Sequence, residues 1–381
     1  MTNHWIKTLL FKVLAFVLPF ALWLAVDAFV LPPHFFTFRA WEALKVKTFY
    51  PTLTGPFYPN QYLELTEQGE LAPYTPYAVP KRNVWITDAY GYRNRPSAAK
   101  PEVLLLGDSF TAGVKLSQEE LLSEALRNRL GRPVYAVAPA PGNFALMNLF
   151  LATDRLHQTP PRVVVLERNE GYLSLMKPID SAEIAYIKSV YERAAHLPKE
   201  KVAGQLAIAA DRFEKRNWYQ WAASRLDRAL APPQPNVYGG EVFTFGPEAL
   251  REMPGTELNR LTEIITSYRD TLADMGIGFV YVPVPNKETI YHRLLPSGRL
   301  PASLGRLISR LRADGVHVVD LQTPFDSAYA AGTALYPRDD GHWNGTAVQI
   351  AAGRISREVE VLLTQPGRTA RKGSIRVVKC Q

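Results

Sequence analysis

Beyond residue 100 the apolar residues fall into short unbroken runs separated by longer stretches of helical spacing. The runs are 103–106 (VLLL), 134–138 (VYAVA), 163–166 (VVVL), 279–284 (FVYVPV) and 316–321 (VHVVDL). A strand solvated on one face alternates polar and apolar residues, so a run that is apolar almost throughout predicts a strand covered on both faces. Stretches 144–157, 257–275, 301–313 and 346–363 carry helical periodicity between and after these runs. Ser117 with Glu120 three residues on forms a capping-box signature for a further helix that Gly131 ends, and Asp314-Gly315 stops the helix 301–313. Strand–helix alternation over five units predicts an α/β protein, a flavodoxin-like three-layer α/β/α fold with a five-stranded parallel sheet. In such a sheet a functional site gathers at the carboxyl ends of the strands.

Two regions break this rhythm. Residues 32–83 are rich in Pro, Tyr and Phe with little helical periodicity, and predict an irregular linker ahead of a domain spanning 84–363. Residues 171–255 separate the third and fourth runs by more than an ordinary connection. They carry helical stretches at 183–196 and 202–230, a Pro-rich joint at Pro232-Pro233-Gln234-Pro235 and a hairpin signal at Tyr238-Gly239-Gly240. This stretch is expected to be an inserted cap over the site.

The amino end has a different character. Residues 13–26 contain no charge, and apolar flanks extend the run to 9–31, interrupted by Lys12 and Asp27. That length suits one transmembrane helix of roughly 20 residues, and Lys7 and Lys12 ahead of its centre favour a cytoplasmic amino terminus. A cleaved signal peptide is the competing reading, although no small-x-small cleavage site follows. Either way the expectation is a single-pass anchor or leader at 1–31, with the remainder on the periplasmic or extracellular side of the cytoplasmic membrane.

Composition narrows the functional classes. At 47% hydrophobic and 21% charged, the 381-residue chain can bury a full core. The net charge of +8 comes mostly from the tail 364–381, where Arg368, Arg371, Lys372, Arg376 and Lys379 face no acid. Charge concentrated in a solvated, disordered tail argues against a nucleic-acid-binding surface. The only cysteine is Cys380, so no intrachain disulfide forms.

Candidate chemistry appears where the first run ends. Gly107-Asp108-Ser109-Phe110 follows the strand directly, which exposes the Ser109 hydroxyl beside backbone N–H groups free to hold an oxyanion. A nucleophilic serine needs a base. Of seven histidines, His342 alone lies in a turn with carboxylates two and three residues before it, in Arg338-Asp339-Asp340-Gly341-His342-Trp343-Asn344. A carboxylate so placed can accept the Nδ1–H and fix the tautomer. No second histidine stands within sequence range, so neither a metal nor another cofactor is implied.

These two blocks together resemble the SGNH/GDSL hydrolase superfamily, in which the serine block opens the domain and an Asp-x-x-His or Asp-x-His block closes it. Thr87-Asp88-Ala89-Tyr90-Gly91-Tyr92-Arg93-Asn94 ahead of the serine block resembles a preface common in exported bacterial members, and Val284-Pro285-Asn286-Lys287 with Tyr291 and Pro296, and Asp340-Gly341-His342-Trp343-Asn344, are similar to the branch that includes the alginate O-acetylation proteins. The order of the blocks differs, since the histidine block of those proteins precedes the serine block. The branch spacing implies Asp340 as the acid, and the wider superfamily spacing implies Asp339. The resemblance further implies an oxyanion hole from Ser109, Gly142 in Ala138-Pro139-Ala140-Pro141-Gly142-Asn143, and Asn169 in Leu166-Glu167-Arg168-Asn169-Glu170, where the family's glycine is missing. Trp218, Trp221 and Trp343 are candidate sugar contacts. The implied activity is acyl transfer through a seryl intermediate, to a polysaccharide hydroxyl or to water, with a membrane protein supplying the acyl group. A non-catalytic polysaccharide-binding or assembly protein on the same fold is the alternative.

Overall fold

The computed structural model describes residues 2–30, 35, 37, 39–46, 55–96, 100–141, 144–153, 160–196, 222, 225–226, 230, 234–296 and 298–364. In chain order, α1 (Thr2–Phe29) and a short α2 (Ala40–Leu44) lead into a hairpin of β1 (Tyr62–Glu67) and β2 (Lys81–Ile86). Next come β3 (Val103–Leu106), α3 (Ser109–Ala112), α4 (Leu122–Leu130), β4 (Val134–Val137), α5 (Leu146–Ala152) and β5 (Val163–Asn169). The chain continues through α6 (Ser181–His196), β6 (Asn236–Tyr238), β7 (Glu241–Phe243), α7 (Gly255–Asp274), β8 (Gly278–Val284) and α8 (Lys287–Ile290). It closes with α9 (Ser303–Ala313), β9 (His317–Val318), α10 (Gln322–Ala330) and α11 (Gly345–Thr364).

The five predicted runs form one parallel sheet in the order β4-β3-β5-β8-β9. Val103 aligns with both Val134 and Val163, so β3 sits between two neighbours. Its unbroken apolar run follows from the pleat, because successive side chains leave opposite faces. Leu104 and Leu106 enter a core with Phe150, Ile187, Leu261 and Leu307, from α5, α6, α7 and α9. Val103 and Leu105 enter a second core with Leu126 of α4 and Ile355 and Val359 of α11. Each such side chain contributes about 1.5–3 kcal/mol on burial, so helices cover both faces of the sheet for the same reason β3 carries no polar residue.

Local signals behave as their chemistry dictates. Ser117 and Glu120 form the capping box, here on a 3₁₀ turn preceding α4, and Gly131 ends α4 in the left-handed conformation. The last run is shorter than its apolar length: β9 pairs only His317 and Val318 with β8, as an edge strand with one neighbour. Helix α10 directly after it has no counterpart in the periodicity reading. Of the stretch 144–157, Leu146–Ala152 is helical and 154–159 lies outside the described residues. The segment 202–230 and the tail beyond Thr364 also lie outside them, apart from Ala222, Arg225, Leu226 and Leu230.

The expected irregular linker is instead built structure over much of its length. β1 and β2 pair antiparallel from Tyr62↔Ile86 to Glu67↔Lys81. Leu63 and Leu65 join Trp85, Phe57 and Leu44 in a third, smaller core. Arg93, buried and stacked 3.7 Å over Trp85, donates to the carbonyls of Val84, Ala112, Gly113 and Leu116. It thereby fastens the hairpin to the loop that follows the serine, and the Thr87–Asn94 motif acquires a structural role.

The amino-terminal helix is separate in character. His4–Trp23 is a 20-residue segment of mean hydropathy 1.8 with none of it buried, long and apolar enough to cross a membrane. Within the insertion, α6 packs Ile184 and Ile187 into the first core, and the expected hairpin is present as β6 and β7.

Candidate active site

The strand ends bring the serine and histidine blocks together. Ser109 is the first residue of α3, so its N–H has no intrahelical acceptor. Asp108 caps that helix: Oδ1 accepts from Phe110 N–H at 3.0 Å, while Oδ2 accepts from Asn169 N–H at 3.1 Å. One carboxylate thus ties the serine loop to the end of β5. Gly107 is required here, since a Cβ at this position would collide with Thr111 and Glu167.

His342 Nε2 lies 2.8 Å from Ser109 Oγ, and its Nδ1 lies 2.7 Å from Asp340 Oδ1. The same Asp340 oxygen accepts the His342 backbone N–H at 2.8 Å, which closes a tight turn. Asp340 Oδ2 accepts from Glu70 N–H at 3.0 Å. His342 is therefore fixed at both ring nitrogens, and Phe110 packs against it with ring centroids 4.9 Å apart.

Asp339 is turned elsewhere. Its Oδ2 accepts from Gly69 N–H at 2.7 Å and Val79 N–H at 2.6 Å, and faces the buried Lys115 ammonium at 3.5 Å. A Cβ at position 69 would collide with Asp339, so glycine is needed for this approach. Of the two adjacent aspartates, Asp340 bonds the histidine and Asp339 binds the loop between β1 and β2.

The turn that carries His342 is held from below by the Val284–Lys287 motif. Lys287 Nζ donates to the carbonyls of Pro337 at 2.8 Å and Arg338 at 3.0 Å, and pairs with Glu241 of β7 at 2.9 Å. Tyr336 hydroxyl donates to Pro285 carbonyl, and Tyr291 hydroxyl accepts from Leu335 N–H. Val242 N–H donates to Arg338 carbonyl, so the hairpin β6–β7 of the insertion braces the same turn.

Charge around His342 favours its protonated form. Burial is the largest influence and works against the imidazolium. Asp340's charge and hydrogen bond, joined by Glu70 and Asp108, outweigh it and lift the group to about 9. For Asp340, burial raises the carboxyl, and the pairing with His342 reverses this to leave it below its usual range. If His342 acts as a base, kcat/KM climbs about tenfold per pH unit through neutrality and levels off near pH 9, because only the neutral imidazole can take a proton. A pH–rate profile with a free chromogenic ester checks this; a midpoint near the unperturbed histidine value of about 6.5 would contradict it.

The remaining predicted residues are placed as follows. Asn169 is buried at the end of β5; its Oδ1 accepts from Gly171 N–H and its Nδ2 donates to Val284 carbonyl at 3.4 Å. Trp343 is 0% exposed and donates from Nε1 to Phe110 carbonyl, so it packs against the catalytic turn and ties the histidine block to the serine block. Gly142, Trp218 and Trp221 lie outside the described residues.

Two groups escaped the sequence reading. Glu70 presents Oε1 3.5 Å from His342 Nδ1, in a cluster where Glu70, Asp340 and His342 lie within 4.8 Å of one another. Glu167 is fully buried under the serine loop and accepts from Asp108 N–H and Thr111 hydroxyl. Burial first, then the charge of Asp108, pushes its carboxyl well up, and its two hydrogen bonds prop the serine loop from beneath. Beside this loop opens a cavity of about 510 Å³, lined by Gly107, Asp108, Pro139, Phe144, Arg168 and Tyr268 among others.

Comparison with known proteins agrees with the resemblance over part of the chain. Residues 245–376 match the family described as an SGNH hydrolase-like domain, acetyltransferase AlgX. Solved structures similar to this one include the O-acetyltransferase domain of Pseudomonas putida AlgJ, 24% identical over 35% of this chain and 50% of that one, with a TM-score of 0.28. This chain therefore spans half the length of that domain. A lipase/acylhydrolase from Enterococcus faecalis is 10% identical over 69% of this chain and 96% of its own, with a TM-score of 0.35. A carbohydrate acetylesterase family member from Sinorhizobium meliloti is 13% identical over 69% and 99%, with a TM-score of 0.30. No curated protein matches the chain. The carboxy-terminal part of the chain is thus similar to an SGNH hydrolase-like domain of the acetyltransferase AlgX family.

Proposed function

We propose that this chain is a membrane-anchored serine O-acyltransferase that moves an acetyl group to a hydroxyl of an exported polysaccharide. The observation that carries the reading is the continuous hydrogen-bonded chain Ser109–His342–Asp340, at 2.8 and 2.7 Å, at the carboxyl end of β3. In this mechanism His342 Nε2 takes the Ser109 proton as Oγ attacks the ester carbonyl. Asp340 holds the Nδ1–H and stabilises the imidazolium. Ser109 N–H, with Gly142 N–H and Asn169 Nδ2 as further donors, stabilises the oxyanion. The intermediate collapses as His342 returns the proton to the leaving oxygen, which leaves an acetyl ester on Ser109. A sugar hydroxyl then gives its proton to His342 and takes the acetyl group by the reverse sequence.

Helix α1 supports retention at the membrane, and Lys7 and Lys12 in the amino-terminal half of its apolar span favour a cytoplasmic amino terminus. An anchored enzyme meets an acyl donor presented by a membrane partner. Transfer to sugar in place of water depends on how the acceptor is positioned and how well water is excluded. The test uses the full chain in detergent with a chromogenic acetyl ester, with and without an oligosaccharide acceptor, beside the Ser109→Ala variant. Ser109-dependent acetylation of the oligosaccharide is expected. Free acetate alone would convert the reading to an esterase, and turnover that survives Ser109→Ala would overturn it.

A further inference from the structure

Asp340 Oδ1 already accepts the Nδ1–H of His342, yet a second carboxylate stands on the same edge of the ring. Glu70 Oε1 is 3.5 Å from His342 Nδ1, and its own backbone N–H bonds Asp340 Oδ2 at 3.0 Å. Glu70 comes from the connection between β1 and β2, outside the region 245–376 that matches a known family. Its place is secured independently of the histidine. Asp339 clamps Gly69 immediately before it, Leu71 N–H immediately after it donates to Asp339 carbonyl, and Arg39 lies 3.6 Å from its carboxylate. An acidic side chain delivered beside an imidazole whose hydrogen bond is already made acts on it through charge.

We propose that Glu70 is a positioning residue of the acid–base apparatus, which holds negative charge against the Nδ1 edge of His342 and sets the pH at which Ser109 becomes nucleophilic. This inference rests on the catalytic reading of Ser109 and His342. The groups that face His342 are Asp340 on its own turn, Glu70 from the hairpin connection, and Asp108 from the serine loop. Those that face Glu70 are His342, Asp340, Arg39 and Glu42. Burial is the largest influence on Glu70 and raises its carboxyl, against which His342 and Arg39 act. Its charge favours the imidazolium, so removing it lets His342 lose its proton at lower pH. The Glu70 side chain is 29% exposed, and screening by solvent reduces the effect below that of a buried pair. The expected displacement is about half a unit to one unit.

The test is the second-order rate at which a fluorophosphonate modifies Ser109, measured against pH on the full chain in detergent. In Glu70→Gln the midpoint of the rise moves to lower pH by about half a unit to one unit, so at pH values below it the variant reacts roughly 3- to 10-fold faster. Glu70→Asp keeps the charge and stays near the wild-type midpoint. Arg39→Gln removes the cation beside Glu70 and moves the midpoint upward, which tests the sign with Glu70 intact. A Glu70→Gln profile lowered uniformly with an unmoved midpoint, or an unmoved midpoint in Arg39→Gln, overturns the role for Glu70 while leaving Ser109 a nucleophile. Absence of Ser109 modification in the wild type contradicts the catalytic reading itself.

Discussion

Replacing Ser109 by alanine is expected to lower kcat by roughly 10⁴- to 10⁶-fold, and His342→Ala by a similar factor. The loss is this large because the two side chains act as one device. The hydroxyl is a poor nucleophile until Nε2, at 2.8 Å, takes its proton. Once either partner is gone the other has nothing to act with. The double variant is therefore expected to be no slower than either single one, since effects within such a unit are far from additive. What remains in all three is the contribution of the oxyanion donors and of substrate positioning. Ser109 is partly exposed at the start of α3, so its truncation leaves no cavity and the thermal midpoint should hold. Turnover of an acetyl ester by the three purified variants, beside their unfolding curves, checks this.

Asp340→Asn and Asp339→Asn should separate catalysis from stability, although the two residues are neighbours. Asp340→Asn keeps the shape of the turn, but one carboxylate oxygen becomes an NH2 donor, so the side chain can no longer accept from both the His342 ring and Glu70 N–H. The imidazole then settles in the wrong tautomer, and kcat falls by about 10⁴-fold. Asp339 touches neither Ser109 nor His342 through a hydrogen bond. It accepts from Gly69 and Val79 N–H groups and faces Lys115, whose side chain is 2% exposed against 0% for its own. Neutralising it leaves a buried ammonium with only the Val79 and Glu67 carbonyls and no counter-charge in contact among the described residues, which costs up to about 3–5 kcal/mol. Asp339→Asn should thus unfold at clearly lower denaturant while its folded fraction turns over far faster than Asp340→Asn. Equal activity losses in the two would contradict the assignment of Asp340 as the partner of His342.

The sheet was legible because burial on both faces writes itself into sequence. A strand such as Val103–Leu106 feeds two cores and can carry no polar residue. The edge was less so: four of the six residues 316–321 are apolar, yet only His317 and Val318 pair, because β9 has a single neighbour and Val319 and Leu321 are buried against the helices of one face. The hairpin was missed although Tyr62-Leu63-Glu64-Leu65-Thr66-Glu67 alternates as a half-buried strand should. Its partner lies beyond a long Pro-containing connection, and its polar Glu67 is buried, where it accepts from Ala40 N–H and Asn83. Ser109, His342 and Asp340 could be read because two of them share a turn and the third ends a strand. Glu70 could not. Its approach to His342 spans most of the chain and depends on the Asp339 clamp, which no local pattern reveals.

The most direct test of the account is to look for the acyl group on Ser109. Full-length protein in detergent would be mixed with an activated acetyl ester, quenched in acid within one turnover, digested, and its peptides weighed. The account predicts an acetyl increment on the peptide containing Ser109, which disappears in Ser109→Ala and is discharged when an oligosaccharide acceptor is added before the quench. Unlabelled Ser109 under conditions where the ester is consumed would contradict it.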